Sequence, residues 1–146
     1  MQTIPKTVTL SNVSWGIEPA SPAPRVSAKS VKIFLLSFTE RVATVRLTQL
    51  VRLPRRTAYY VELDFHDSDV RIESIEAVLN STERAISHQM LEVTPARSTA
   101  RLTPALCSST HSSENELRLK IRGSELVAGG TFTLFEARLV PADARW

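Results

Sequence analysis

Four side chains between residues 64 and 69 form the densest group in the sequence that could do chemistry. Asp64, His66, Asp67 and Asp69 offer oxygen and nitrogen atoms that could hold a cation or move a proton. The spacing of a calcium-binding loop, with its glycine and its closing glutamate, is absent. An acidic strand end is stable in water without a metal. We therefore expect no metal ion here, although Asp64, Asp67 and Asp69 would be its candidate ligands.

Nucleophilic catalysis has one candidate residue, Cys107, with His111 four residues later. Catalytic partners converge from separate elements, and neither a nucleophile elbow nor a cysteine-protease signature surrounds Cys107. A single cysteine also excludes an intrachain disulfide and a cysteine pair for a metal. These features predict a protein that is not an enzyme and needs no cofactor.

Basic side chains cluster in two places, one around Pro54 and one alternating with apolar residues along a predicted strand. The clusters are Arg52, Arg55 and Arg56, and Arg118, Lys120 and Arg122. Phosphate contacts need such residues, but neither cluster has the interleaved aromatic rings on which single-stranded bases stack. The alternating cluster also suits a solvated strand face or a protected sheet edge. We therefore expect protein contacts at these clusters and no nucleic acid.

Aromatic side chains indicate a different kind of partner. Exposed rings on a sheet can stack on sugars, and Trp15, Tyr60 and Trp146 are the candidates. Trp146 is the last residue, so its indole either docks on a surface or lies bare. A docked Trp146 would equally suit a packing contact with a neighbouring subunit.

The residues around the acidic group predict a core strand, because apolar and polar side chains alternate from residue 59 to residue 66. The inward face would carry Tyr59, Val61, Leu63 and Phe65, and the outward face Tyr60, Glu62, Asp64 and His66. The stretch 70–79 resumes the alternation and then breaks its phase, which favours a bulged strand over a short helix. The same period recurs at 3–15, 42–53, 117–122 and 131–141, and residues 31–38 are apolar on both faces. These patterns predict an all-β fold, an antiparallel β-sandwich of about eight strands, with a jelly roll as one form of it.

Two segments lack a strand pattern. Residues 18–25 contain three prolines, Pro19, Pro22 and Pro24, and predict a polyproline II linker or an arm. Residues 94–116 are rich in Ser and Thr and predict a long irregular loop, within which a short strand around Ala100 to Leu102 is an alternative. With 146 residues the chain fits a single domain, 1–146.

Charge is distributed unevenly along the chain. Residues 1–58 carry nine Lys and Arg against two Glu, whereas residues 59–146 carry nine against thirteen Asp and Glu. This pattern fits a mixed-charge solvated surface, or a head-to-tail contact between a basic and an acidic region. The first ten residues lack the apolar core of a signal peptide, and no apolar run could span a membrane. We expect a soluble protein without membrane contact, either cytoplasmic or part of an assembled particle.

Two hypotheses from different classes follow. The first is a non-enzymatic structural or assembly protein, such as a virion capsid or capsid-decorating subunit, whose partners are copies of itself or other protein subunits. Its contacts would involve Trp15, Pro22, Pro24, the two basic clusters and Trp146. The alternative is a carbohydrate-binding β-sandwich module with Trp15 or Tyr60 bare beside an open sheet face.

Overall fold

The computed structural model describes residues 5–18, 23–34, 43–125 and 130–142. These residues form twelve strands and one short 3₁₀ helix, Asn12–Ser14. The strands are β1 (Val8–Thr9), β2 (Gly16–Glu18), β3 (Arg25–Val26), β4 (Val31–Phe34), β5 (Ala43–Arg52), β6 (Ala58–Ser68), β7 (Val70–Leu79), β8 (Glu83–Ala85), β9 (Ser87–Val93), β10 (Ser98–Cys107), β11 (Glu114–Glu125) and β12 (Thr131–Pro141). Within the described ranges, no helix is long and apolar enough to cross a membrane.

The strands form two antiparallel sheets. The seven-stranded sheet has the order β3-β4-β12-β6-β10-β9, with β1 also paired to β12, and the five-stranded sheet has the order β2-β5-β11-β7-β8. The predicted all-β antiparallel sandwich is confirmed. The described residues contain more strands than the eight expected, because β1, β2, β3 and β8 are two or three residues long and too short to show a period.

The core lies between the sheets. Tyr59, Val61, Leu63 and Phe65 of β6 are buried in one apolar cluster with residues of both sheets, as their alternation predicts. A fully buried Leu or Phe side chain stabilises the fold by about 1.5–3 kcal/mol. The apolar alternation therefore fixes which side chains of each strand face outward.

The prediction of an irregular loop at 94–116 is wrong for most of these residues. Strand β10 occupies Ser98–Cys107, and β11 begins at Glu114. Ala100, Leu102 and Leu106 are buried, but the register with β6 shifts between Leu102 and Leu106. This irregularity, next to Pro104, hides the period of two in the sequence.

The predictions for residues 70–79 and 18–25 had different outcomes. The stretch 70–79 is a strand, and its register with β11 shifts near Ile72, as the bulge predicted. Of the predicted linker at 18–25, residues 19–22 lie outside the described residues, and so does Pro22. Glu18 ends β2, Arg25 begins β3, and Pro24 is half-buried.

A buried amide is one of several contacts that hold the remaining loop, 108–113, against the end of the sandwich. Asn115 is buried, and its Oδ1 accepts hydrogen bonds from the Asn80 Nδ2 at 2.7 Å and from the backbone N–H of Ser109 at 2.8 Å. Asn80 Oδ1 in turn accepts from the backbone N–H of Glu116 at 2.8 Å. The loop is thus tied to the β7–β8 turn through a single side chain.

Replacing Asn115 with Ala should lower the free energy of unfolding by about 1–3 kcal/mol, because the backbone N–H of Ser109 loses its acceptor in a buried place. Urea unfolding followed by the fluorescence of the buried Trp15 measures this loss. His111→Ala, at an exposed position of the same loop, is the matched control and should change stability by less than about 0.5 kcal/mol. Equal losses for both variants would contradict the anchoring role of Asn115.

Candidate functional site

The outer face of the seven-stranded sheet gathers charged side chains from three adjacent strands. Because β6 alternates, its apolar side chains enter the core while Tyr60, Glu62 and Asp64 point away from it. In cross-strand register, Glu62 lies between Arg101 of β10 and Arg138 of β12. Two carboxylates of the central strand therefore stand between arginines of both neighbouring strands.

Glu62 is held from both sides. Arg101 donates from Nε and Nη2 to Oε2 of Glu62 at 2.9 and 2.6 Å. Arg138 donates from Nε to the other oxygen, Oε1, at 3.2 Å. Only 7% of Glu62 is exposed, so these hydrogen bonds replace most of its contact with water.

Asp64 has a larger set of partners. Its Oδ2 accepts from Arg97 Nη2 at 2.8 Å and from Arg138 Nη1 at 2.9 Å, and its Oδ1 accepts from Thr99 Oγ1 at 2.7 Å. Arg138 Nη1 also donates to Glu136 at 2.8 Å. Arg138 is therefore shared among three carboxylates and joins the two halves of the network.

These contacts fix the ionisation of the network. Burial raises the pKa of the Asp64 carboxyl, but hydrogen bonds from Arg138, Thr99 and Arg97 together outweigh it and hold that pKa at about 2. The hydrogen bond to Asp64 raises the pKa of the Arg138 guanidinium above its ordinary value, although burial opposes this. Asp64 and Arg138 therefore stay charged at neutral pH, and Asp64 is not suited to donate a proton there.

Two aromatic rings lie within this charged surface. The Arg101 guanidinium lies over the Tyr60 ring, 4.5 Å from its centroid, and the Arg97 guanidinium lies over the Phe135 ring at 4.9 Å. Tyr60 and Phe135 are both half-buried, so part of each ring remains open to solvent. The paired-charge face is the surface made by Tyr60, Glu62, Asp64, Arg97, Arg101, Phe135 and Arg138.

A cleft opens at the end of the paired-charge face that carries Asp64 and Arg97. Its volume is about 340 Å³. It is lined by Asp64, Glu92, Thr94, Arg97, Thr99 and Arg138. The lining is polar and largely charged, and its hydrogen-bonding groups are held in place by one another.

The predicted acidic group, Asp64, Asp67 and Asp69, does not converge on one site. Asp64 faces arginines on the outer side of the sheet, whereas Asp67 and Asp69 are exposed at the turn between β6 and β7. Among the described residues, no group of three or more His, Cys, Asp or Glu side chains could hold a metal ion. The carboxylate of Asp64 is already neutralised by Arg97 and Arg138.

The three aromatic residues predicted to bind a partner lie in different places. Trp15 is 8% exposed and belongs to the core, where its Nε1 has no hydrogen-bond partner within the described chain. Its predicted surface role is therefore wrong, because its indole is buried in the core directly after the 3₁₀ helix Asn12–Ser14. Tyr60 lies on the paired-charge face, and Trp146 lies outside the described residues.

The two basic clusters lie on other surfaces. The first cluster is exposed at the end of β5 and in the turn before β6, and the second lies on the outer face of the five-stranded sheet. These are Arg52, Arg55 and Arg56, and Arg118, Lys120 and Arg122. Neither cluster contributes to the paired-charge face.

Sequence reasoning missed most of the paired-charge face. It placed Glu62 and Asp64 on the outward side of a strand, but it assigned no role to Arg97, Arg101 or Arg138. The available signal was weak, since an arginine at an outward strand position is also what a solvated surface shows. Phe135 was missed because the register with β6 shifts beside it.

Comparisons with known proteins bear on the fold. No protein-family model matches the chain, and no curated protein sequence does either. TmCBM27, a carbohydrate-binding module described for specific mannan recognition, is 14% identical with a TM-score of 0.50, over 94% of this chain and 99% of that one. TmCBM61, solved with beta-1,4-galactotriose, is 14% identical with a TM-score of 0.48, over 93% and 87% of the two chains. A CBM4 structure is 15% identical with a TM-score of 0.47, over 87% and 86%. At such identities the likeness shows the fold.

The comparisons contradict the assembly function that the sequence placed first. TmCBM27, whose TM-score is 0.50, is a carbohydrate-binding module by name and gives no support to a virion component or to protein subunit partners. The contacts give part of the physical reason, because the two buried carboxylates of the acidic region on which that inference depended are neutralised within the chain. Glu62 and Asp64 are paired with Arg101 and Arg138 of the same sheet and are not left for a neighbouring subunit.

Replacing Arg138 with Met should lower the free energy of unfolding by roughly 3 kcal/mol, because it removes one partner each from two largely buried carboxylates. Arg84→Met is the matched control, since Arg84 pairs with Glu76 at 3.1 Å but has an exposed side chain, and its loss should stay below about 1 kcal/mol. Urea unfolding at neutral pH compares the two. Similar losses would show that the network does not depend on Arg138.

The low pKa of Asp64 predicts how stability varies with pH. The folded value, about 2, lies below the ordinary 3.8, so the carboxylate stabilises the fold fully above the ordinary value. This contribution is lost as the pH falls through about 2. The stability difference between the natural chain and Asp64→Asn should therefore shrink between about pH 5 and pH 2, as acid and urea unfolding together can measure. A difference that does not change with pH would contradict the assignment.

Proposed function

We propose that this chain is a non-catalytic carbohydrate-binding module, and that a neutral glycan lies across the paired-charge face. One observation carries the proposal: two partly open aromatic rings, Tyr60 and Phe135, are each covered by an arginine that is fixed to a buried carboxylate. A sugar presents apolar C–H groups on its ring faces and hydroxyls at its edges. The paired-charge face offers a partner for both.

The aromatic rings suit the apolar faces of a sugar. The guanidinium over each ring takes up part of its face, and the area that it leaves open can contact C–H groups of a sugar. Tyr60 and Phe135 lie on either side of the carboxylates of β6, at β6 itself and at β12. Two sugar units of one chain could therefore contact the two rings.

The charged network suits the hydroxyls. A guanidinium has five N–H donors and a carboxylate about four acceptor sites, so the network has donors and acceptors left after its internal bonds. Hydrogen bonds to charged groups are about twice as strong as neutral ones. Arg97, Arg101 and Arg138 are already ordered by Glu62 and Asp64, so a ligand does not have to order them on binding.

The balance of charge favours a neutral ligand. The three arginines are ion-paired with Glu62, Asp64 and Glu136, and Glu92 of the cleft adds a fourth carboxylate, so these groups carry no excess of positive charge. A carboxylated sugar would compete with the internal carboxylates for the same guanidinium groups. The cleft of about 340 Å³ falls at the low end of the roughly 300–1,000 Å³ typical of small-ligand sites.

The same contacts argue for binding without catalysis. Glycoside hydrolysis commonly uses one carboxylic acid whose pKa is raised so that it can protonate the leaving oxygen. Asp64 has the opposite property, with a pKa held at about 2. The fold it shares with the mannan-recognising TmCBM27 supports the same class of protein and leaves the identity of the glycan open.

Binding to immobilised neutral polysaccharides tests the proposal. We expect at least one of mannan, galactan and β-glucan to retain the chain, and Tyr60→Ala to weaken that retention by about tenfold, the equivalent of about 1.4 kcal/mol. Leu50→Ala is the matched control, because Leu50 is 67% exposed on the other sheet, and it should leave binding unchanged. Near-ultraviolet circular dichroism checks that both variants fold.

Two outcomes would overturn the proposal. Retention by no neutral polysaccharide would remove its basis. Retention that Leu50→Ala weakens as much as Tyr60→Ala would move the site off the paired-charge face. Phe135→Ala provides a second variant on the same face, should Tyr60→Ala fail to fold.

A further inference from the structure

The outer face of the five-stranded sheet carries a cluster of cations, whereas positive and negative side chains are paired on the paired-charge face. Arg46 of β5 lies directly opposite Lys120 of β11 in the register of these two strands. Arg118 and Arg122 lie two residues to either side of Lys120 and so point to the same face. Neighbouring strands are about 5 Å apart and alternate residues of one strand roughly 6–7 Å apart, which brings the four cations into one strip. The basic strip is the surface made by Arg46, Arg118, Lys120 and Arg122.

Most of the charge in this strip is not neutralised. Arg118 pairs with Glu116 at 2.9 Å. Glu76 lies opposite Lys120 in register, but its carboxylate pairs with Arg84 at 3.1 Å. Glu18 of β2 lies opposite Arg46 on the other side, but the two do not form an ion pair. Within the part of the chain that the structure describes, no carboxylate lies within ion-pair distance of Arg46, Lys120 or Arg122.

The position of the strip argues against a merely protective role. Charges that prevent aggregation belong on edge strands, whereas β11 lies between β5 and β7. Arg46 lies opposite Lys120, an arrangement of like charges that is destabilising on paired strands, although Glu18 and Glu76 flank the two cations. Because Arg46, Lys120 and Arg122 form no ion pair within the described chain, an anionic ligand could supply their partners.

The neighbouring side chains distinguish between anionic polymers. Thr44 and Thr48 of β5 lie opposite Arg122 and Arg118, so hydroxyl groups alternate with cations across the strip. Among the described residues this face carries no aromatic ring on which a base could stack. Hydroxyls and cations without rings match a sugar chain that carries carboxylate or sulfate groups.

We propose that the basic strip binds an anionic polysaccharide, as a second site for a second class of glycan. The proposal goes beyond the neutral-glycan site and uses none of its residues, so either site can fail alone. The two sites lie on the outer faces of different sheets. One chain could therefore contact neutral and acidic polysaccharides at the same time.

Immobilised polygalacturonate is a suitable probe, because it carries one carboxylate on each sugar. The natural chain should be retained at low salt and released by about 0.5 M salt, where contacts between exposed charges are largely screened. The triple variant Arg46→Gln, Lys120→Gln, Arg122→Gln should bind at least about tenfold more weakly. The matched control loses the same three charges elsewhere, as Lys29→Gln, Arg55→Gln, Arg56→Gln at exposed loop positions, and should stay within about threefold.

Three results would overturn the proposal. Equal losses in both triple variants would mean that binding follows net charge alone. Tighter binding to a single-stranded oligonucleotide than to polygalacturonate would assign the strip to nucleic acid. Loss of polygalacturonate binding in Tyr60→Ala would place that ligand on the paired-charge face. The single variant Lys120→Gln should show a smaller loss in the same direction, which keeps the test valid if the triple variant does not fold.

Discussion

The structure depends on one constraint, the near-complete burial of two carboxylates on the outer side of its central strand. Removing a carboxylate from water costs several kcal/mol unless charged donors replace the water. Glu62 and Asp64 meet this requirement only because β10 and β12 flank β6 and carry Arg101 and Arg138 at the matching register. A slip of one residue in either pairing would turn those arginines toward the core. The ion pairs thus help to specify the strand order β12-β6-β10 as well as a surface.

The sequence was sufficient to predict the strands but not which side chains would meet. The alternation around Leu63 follows from the period of two, so the fold class and the inward face of β6 were predictable. Glu62 contacts Arg101 across 39 positions of sequence, and Asp64 contacts Arg138 across 74. Such contacts are set by strand order and register, which a single sequence does not contain. Only a short strand around Ala100 to Leu102 was an alternative for β10, and its full length was missed because its register with β6 shifts between Leu102 and Leu106.

The assembly hypothesis failed because charge polarity along the sequence is not charge polarity in space. The basic first part of the chain and the acidic second part interleave when the sheets form. Arg46 from the first part lies beside Lys120 from the second, while Asp64 is surrounded by arginines of its own part. The net charge of a sequence segment therefore predicted neither the paired-charge face nor the basic strip. Each surface is defined by strand pairing across the whole chain.

The two sheets consequently present faces with opposite electrostatic designs. On the paired-charge face the charges satisfy one another, so a ligand there gains from fixed geometry and aromatic area and should respond little to salt. On the basic strip three of the four cations form no ion pair within the described residues, so a ligand there gains from neutralisation and should respond strongly to salt. Salt dependence therefore separates the two sites physically before any residue is changed. A glycan whose binding shows the weak response belongs on the sheet of Glu62, and one whose binding shows the strong response belongs on the sheet of Lys120.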